Sequence, residues 1–355
     1  MEQNDEIWVL GATGRIGAPA AAILAKSGAH TVLIGRDASR LDAIARDIGA
    51  SRTLVAEDAA TMAAAVRRER PAVVVNTIGP FSRTAGPLAE ACLPSTSYVD
   101  LANDMEAATA ITALGDAAQE HGQTLVTGAG FGVVGTEAPL AFLCEGRPSP
   151  TRVRVDSAAS VATAAGKVGH ALADTIVEGF SEQGRQVRDG RLTPVPIGSS
   201  PQTFSLPDGT TVTTGAWPSG DLEAARRTSG APEVVAATTA IPTGLPIRIA
   251  LPLARTAMRS AQLRRALARL LAAMKLSEKP RPREHTWGRA SAQWADGSSQ
   301  VAWLRTDDAM EFTTRVLAET ALRILAGKAS PGAGTPIELL GPDLVGAAGG
   351  EIYRA

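Results

Sequence analysis

Residues Ile7 to Gly17 run from an apolar strand through a turn with Gly11, Gly14 and Gly17, and then into an alanine-rich helix that reads as continuing to Ser27. A strand followed at once by such a turn and helix constrains the chain to begin as a βα unit of a parallel sheet. Gly11 permits the tight turn after the strand, Gly14 the close approach of backbone to a phosphate, and Gly17 the close packing of the helix on the sheet. The helix, expected to start near Arg15, offers unpaired N–H groups and the positive end of its dipole to an anion. Thr13, Arg15 and Ile16 line the same turn.

Strand and helix signals then alternate through the first third of the chain. Strands are expected at Thr31 to Ile34, Arg52 to Ala56, Ala72 to Val75, Tyr98 to Val99 and Thr124 to Thr127. Helices are expected at Ser39 to Ile48, Thr61 to Arg70, Ala85 to Cys92 and Glu106 to Glu120. Ala72 to Val75 is wholly apolar, as a strand buried on both faces of a parallel sheet must be. The alternation predicts an α/β fold whose N-terminal part is a doubly wound, Rossmann-type parallel sheet.

From about Thr151 the strand candidates become longer and more polar. Arg152 to Ser157, Thr203 to Leu206 with Thr211 to Thr214, and Thr286 to Trp294 with Ser299 to Arg305 read as strands. The first pair turns at Asp208-Gly209 and the second at Asp296-Gly297. Helices are expected at Val168 to Glu182, Arg255 to Met274 and Glu311 to Leu325, and a Gly/Pro-rich loop at Ser330 to Gly334. These signals predict a second, α+β domain built on a largely antiparallel sheet. Its boundaries are residues 131–330, after a nucleotide domain of residues 1–130, with the tail 331–355 able to pack back on the first domain. Such a sheet suits substrate covering and a homodimer.

At 355 residues the chain is long enough for two cores. Its 35 basic and 36 acidic side chains leave no excess charge for a nucleic-acid partner. Cys92 and Cys144 lie far apart in apolar settings and read as thiols in a reducing compartment. The opening residues do not resemble a signal peptide, and no apolar run is long enough to span a bilayer, so a cytoplasmic location is expected. The Arg- and Leu-rich stretch from Arg255 to Lys275 reads as an amphipathic helix with a basic solvent face; a membrane-surface element is the other reading.

The expected second strand ends at Gly35-Arg36-Asp37, where a ribose-recognising residue belongs. Arg36, with Arg40 one turn into the next helix, suits a 2′-phosphate and favours NADP(H) over NAD(H). Asp37 either caps that helix or touches the ribose, and Asp58 either approaches the adenine amine or caps the following helix. Asn76 to Phe81 follows the fourth strand at its carboxyl end. There Gly79-Pro80 brings backbone close to the nicotinamide ribose, and Asn76 or Thr77 hydrogen-bonds it. Asp100 and Asn103 follow the fifth strand on the same edge, as polar groups that orient a substrate or, for Asp100, as a helix cap.

The segment Val74 to Phe81, followed by Gly86, Ala91-Cys92, Tyr98 to Asp104 and Gly128 to Phe131, resembles the NADP-binding domain of the saccharopine dehydrogenase-like group, which includes trans-acting enoyl reductases. Gly332 to Asp343 resembles that group's closing motif. The resemblance implies a Rossmann domain with an α+β partner domain, a nicotinamide cofactor, and hydride transfer to or from C=C or C=N bonds. It places Gly130 and Phe131 on the substrate side. Where relatives carry Gly-Phe-Asp-Ser, this chain has Gly130-Phe131-Gly132-Val133, which removes an acidic and a hydroxyl side chain.

The residues also limit the chemistry. Neither Tyr98 nor Tyr353 has a lysine four positions on, so the Tyr-x-x-x-Lys proton relay is excluded. No histidine forms a metal-binding pattern, and no G-x-S-x-G is present. His170 is the candidate general acid and Lys167 the candidate for stabilising a developing enolate or binding an anionic group; both also fit ordinary helix or solvated positions. Trp217, Trp287, Trp294 and Trp303 either line an apolar pocket or, for two of them on a hairpin, form core or a dimer interface. The residues and the resemblance together leave three functions: a reductase of an activated C=C or C=N bond, a regulatory protein that binds NADP without chemistry, and an amino-acid dehydrogenase of the opine or saccharopine type.

Overall fold

The computed structural model describes residues 5–163, 166–167, 173, 177, 183–241 and 260–354. The chain divides into two compact units, one of Met1–Val134 with Met310–Gly349, the other of Gly135–Ala309 with Gly350–Ala355.

The first unit carries β1 (Ile7–Leu10), α1 (Gly17–Lys26), β2 (Thr31–Gly35), α2 (Ala38–Ile48), β3 (Arg52–Val55), α3 (Ala59–Glu69), β4 (Val73–Asn76), α4 (Phe81–Cys92), β5 (Ser97–Asp100), α5 (Met105–Thr112), α6 (Gly115–Glu120), β6 (Thr124–Val126) and the start of α7 (Phe131–Cys144). The strands stand in the order β6-β5-β4-β1-β2-β3, all parallel, which is the doubly wound pattern the sequence predicts. Every residue of β1, β2 and β4 is buried, because helices cover both faces. Trp8, Leu10, Val32, Ile34, Val74 and Tyr98 are packed in one core with Met62, Val66, Leu88 and Ile111 from the helices. Aspartates set three helix starts: the side chains of Asp37, Asp58 and Asp104 accept from Arg40, Thr61 and Ala107 N–H respectively.

Two expectations for this unit change. The helix expected over Glu106 to Glu120 is broken into α5 and α6 at Ala113-Leu114. The expected Gly/Pro-rich loop near the C-terminus contains a strand, β17 (Gly332–Gly334), which adds to β6 in parallel as the seventh strand of the sheet. The polar Thr124 side chain helps hold it by donating to Ser330 O at 3.0 Å. After it come α11 (Pro336–Leu340), closed by a capping box of Thr335 and Glu338, and α12 (Leu344–Ala347).

The second unit carries β7 (Arg152–Ala158), β8 (Gly166–Lys167), β9 (Gly184–Arg188), β10 (Arg191–Val195), β11 (Gln202–Ser205), β12 (Thr211–Ala216), α8 (Gly220–Ser229), β13 (Glu233–Thr238), α9 (Ala261–Ala273), β14 (Lys275–Leu276), β15 (Thr286–Gln293), β16 (Ser299–Thr306) and β18 (Glu351–Arg354). Between β16 and β17 lies α10 (Ala309–Leu325), which from Met310 belongs to the first unit. The sheet runs β10-β9-β13-β7-β15-β16-β18, antiparallel except for β13 beside β7, and the β11–β12 hairpin joins it through β13. The hairpins expected around Asp208-Gly209 and Asp296-Gly297 both form.

Trp287 and Trp303 meet edge to face at 6.1 Å between ring centres and are packed with Leu206, Val212 and Ala158. The core reading of these two tryptophans therefore holds. Beside them Asp156, 1% exposed, takes Arg154 Nε on one oxygen and Arg289 Nη1 on the other, each at 2.8 Å. The Arg289 guanidinium lies over the Phe204 ring at 4.7 Å, so the hairpin is fastened to the sheet by charge as well as by apolar area.

Candidate functional site

The turn after β1 is built so closely that its three glycines have little or no room for a side chain. Gly11 has φ +78°, and a Cβ on it would lie 2.7 Å from Thr77 Oγ1. A Cβ on Gly17 would collide with the Gly11 carbonyl, and one on Gly14 would lie 3.1 Å from the same oxygen. The backbone N–H groups of Gly11 and Ala12 both donate to Ile34 O, which ties the turn to β2. From the other side, the Thr77 hydroxyl donates to Leu10 O at 2.7 Å. The turn is thus held between the carboxyl ends of β2 and β4, at the reversal of strand order where open α/β sheets bind ligands.

Helix α1 starts at Gly17, two residues after the Arg15 expected, with Ile16 at its N-cap, no side-chain cap bond and no acidic residue in its first turn. Its positive end therefore lacks the carboxylate that caps α2, α3 and α5. Gly14 and Arg15 are exposed, Thr13 is half-buried and Ile16 is buried. Arg36 and Arg40 are both exposed, and Arg40 Nη2 donates to Thr13 O at 3.2 Å across the mouth of the turn.

Asp37 is the cap of α2: its carboxylate accepts from Ser39 Oγ at 2.7 Å and Arg40 N at 3.1 Å, and the Ser39 bond first of all holds it below the usual carboxylate range. Asp58 caps α3 in the same way, accepting from Thr61 N at 2.8 Å, and stays exposed. Each of these aspartates therefore takes the capping alternative.

Asn76, expected to bond a ribose, is fully buried at the end of β4. Its Nδ2 donates to Tyr98 Oη at 2.9 Å, and its Oδ1 accepts from Ile78 N at 2.9 Å. Tyr98 in turn donates to Asp100 Oδ2 at 2.9 Å. The other Asp100 oxygen accepts from Ala102 N, Thr127 Oγ1 and Gly128 N. Burial pushes this carboxyl up to about 6, against the lowering effect of those bonds, and pushes the Tyr98 phenol well above its ordinary value. The substrate-facing role expected for Asp100 is corrected here: with no exposed surface, the side chain fastens the ends of β5 and β6 together instead. The cap of α5 is Asp104, not Asp100.

Gly79, Pro80 and Phe81 are half-buried and lead into α4, which begins at Phe81, a turn earlier than expected, and has no side-chain cap. Thr84 folds back to donate to Ile78 O at 2.6 Å and so fixes this segment. Asn103 is exposed.

The segment after β6 explains its unusual composition. A Cβ on Gly130 would lie 2.8 Å from Thr313 Cγ2, and one on Gly132 would lie 2.6 Å from Asn103 Nδ2. Phe131 is buried, its N–H donating to Thr313 Oγ1 at 3.0 Å and its ring meeting Phe312 edge to face. Thr84, Thr127 and Thr313 carry no signal of these roles in the sequence, since each bond depends on which strands and helices become neighbours.

His170 lies outside the described residues, as does most of the helix expected from Val168 to Glu182. The Lys167 backbone pairs with Lys275 in the second unit. Among the described residues no group of three or more His, Cys, Asp or Glu could hold a metal, and no helix is long and apolar enough to cross a membrane.

No protein-family model and no curated protein matches the chain. Among solved structures it is similar to apo histidine-tagged saccharopine dehydrogenase (L-Glu forming) from Saccharomyces cerevisiae, at 11% identity and a TM-score of 0.63, covering 99% of this chain and 100% of that one. YwfH, an NADPH-dependent reductase involved in bacilysin biosynthesis, aligns at 16% identity over 35% of this chain and 76% of its own, with a TM-score of 0.30. A 3-oxoacyl-(acyl-carrier-protein) reductase from Agrobacterium tumefaciens with NADP bound aligns at 17% identity over 35% of this chain and 69% of its own, also at 0.30. The likeness to saccharopine dehydrogenase, which covers 99% of this chain, is one of fold.

Proposed function

We propose that this chain is an NADPH-dependent oxidoreductase that delivers hydride to an activated C=C or C=N bond of a hydrophobic or biosynthetic intermediate. The glycine cradle supports this above all: three positions where a Cβ would crowd the turn surround the uncapped start of α1, and they fit a diphosphate against backbone N–H groups. Arg36 and Arg40 stand at the tip of β2 and the first turn of α2, with guanidinium groups suited to a 2′-phosphate.

In this reading Met1–Val134 with Met310–Gly349 is the NADP-binding domain, and the second unit serves substrate binding and homodimer formation. The nicotinamide, when bound, supplies the hydride. Thr77 holds β4 to the turn, and the Asn76–Tyr98–Asp100 chain fixes the ends of β4 and β5, so these residues position and do not react. His170 supplies the proton and Lys167 stabilises the developing negative charge, on sequence grounds.

The test is to mix the protein with NADPH and a panel of enones and cyclic imines, and to follow both cofactor fluorescence and loss of reduced-nicotinamide absorbance. Binding with turnover of at least one class is expected. Binding without turnover across the panel removes the reductase and leaves the regulatory function.

A further inference from the structure

In the second unit β8 and β14 pair antiparallel as a separate two-stranded sheet, with Lys275 directly opposite Lys167. Farther along, Thr163 pairs with Lys279 in the same register. Three of the chain's five lysines thus meet on one ribbon, from distant parts of the sequence. Like charges directly opposed in such a pair are destabilising, and so short a ladder has little with which to offset them. The alternation of an extended chain puts Lys275, Ser277 and Lys279 on one face and Leu276 with Glu278 on the other. Glu278, the one acidic residue from Lys275 to Arg283, therefore faces away from the lysines.

The backbone that carries these charges is fixed. Thr163 and Lys279 exchange both backbone hydrogen bonds, at 3.0 and 2.9 Å. Beyond them Ser160 Oγ donates to Arg283 O at 2.5 Å and accepts from Arg283 N at 3.1 Å, while Arg283 Nη2 donates to Ala159 O at 2.6 Å. Lys279 and Arg281 each precede a proline, Pro280 and Pro282, which restricts them to extended backbone. Elsewhere in this unit Arg154 and Arg289 are neutralised by Asp156, Arg226 by Glu223 and Arg305 by Glu351. Lys275 and Lys279 are exposed and Arg281 is half-buried, and none of the three has a carboxylate partner among the described residues. A rigid set of cations without counter-charge is preorganised for an oxyanion, because it loses little freedom on binding one.

We propose that this ribbon binds a small molecule carrying two or more phosphate or carboxylate groups, with Lys275, Lys279 and Arg281 donating to its oxygens and Lys167 as the register partner that concentrates the charge. Where the second unit serves substrate binding, as in the proposed function, the anionic groups belong to the substrate. The binding itself does not rest on that reading.

Calorimetric titration of the full chain with pyrophosphate and, separately, with citrate tests it, with NADPH in excess throughout to occupy the glycine turn. Binding of at least one anion is expected, weakening as salt is raised. Tighter binding of pyrophosphate assigns the site to phosphate, and tighter binding of citrate assigns it to carboxylate. Lys275→Gln and Lys279→Gln are each expected to weaken binding about tenfold, the effect of one charge-assisted hydrogen bond. The triple variant that adds Arg281→Gln is expected to abolish it while circular dichroism stays unchanged. Lys328→Gln, at an exposed lysine outside the ribbon, is expected to change nothing. No heat with either anion overturns the proposal, as does binding that survives in the triple variant or that Lys328→Gln weakens equally. The variants read the ribbon whether or not NADPH binds, so this proposal and the cofactor reading fail separately.

Discussion

The Thr77 hydroxyl donates to the Leu10 carbonyl at 2.7 Å, joining the last turn of backbone in β1 to the segment that leaves β4. The same oxygen lies where a Cβ on Gly11 or Gly17 would have to sit, 2.7 and 2.8 Å away respectively. One side chain thus sets how close two strand ends and a helix start approach, and the glycines are the residues that permit it. Thr77→Val keeps the shape and removes the donor. It is expected to lower unfolding free energy by about 1 kcal/mol and to weaken NADPH binding several-fold, as read by denaturant titration and by cofactor fluorescence. An unchanged affinity would show that the clamp has no part in holding the turn.

Gly17→Ala makes the harsher test of the same contact. Its methyl group collides with the Gly11 carbonyl, so either the helix retreats or the turn opens. Loss of at least about 2 kcal/mol of stability, or of NADPH binding with stability retained, is expected from an overpacked backbone contact. A variant equal to wild type in both measurements would contradict the cradle.

In the proposed function, cofactor choice rests on Arg36 and Arg40. Replacing Arg36 by Ala is expected to raise the Kd for NADPH about tenfold or more, the effect of one charge-assisted hydrogen bond, with the Kd for NADH nearly unchanged. Equal loss for both cofactors would point to a structural role for the guanidinium and not to the 2′-phosphate.

Much of this site is legible in the residues themselves. β1, β2 and β4 are buried on both faces, so they read as unbroken apolar runs, and Asp37, Asp58 and Asp104 mark helix starts because capping is local chemistry. Non-local pairing defeats the same reasoning. Gly332–Gly334 has no apolar pattern and becomes a strand through the ladder that β6 offers it. Helix α7 contains Pro139 and two glycines, Gly132 and Gly135, and α8 is polar over most of its length, so neither carries a clear helical pattern. Asp100 reads as a substrate-facing group because its strand ends at the ligand edge; only the placement of Tyr98 and Thr127 beside it shows that the carboxylate is enclosed.

A second buried carboxylate gives a pH dependence. Asp221, bonded by Ser219 and buried, is pushed up to about 7, chiefly by desolvation. An acid whose folded pKa exceeds its unfolded pKa binds its proton more tightly in the fold, so its stabilising contribution is greatest below about pH 4 and is lost as pH rises to about 7. The stability of Asp221→Asn relative to wild type is therefore expected to improve by roughly 3 kcal/mol between those limits, measured by denaturant unfolding at each pH. A difference that stays flat with pH would contradict the raised value.

Arg289 shares Asp156 with Arg154 and covers Phe204, so its removal strips one partner from a carboxylate that is 1% exposed. Arg289→Ala is expected to cost about 3 kcal/mol, and Asp156→Ala in the same chain to cost less than the sum of the two single changes. Strict additivity in that double-mutant cycle would show that the pair is not coupled.

In the proposed function the turn at Gly11, Gly14 and Gly17 grips a nicotinamide dinucleotide carrying a 2′-phosphate. Calorimetric titration of the purified full chain measures this most directly. One NADPH bound per chain, more tightly than NADH, is the expected result; the absence of heat with either cofactor, in protein shown to be folded, would contradict it.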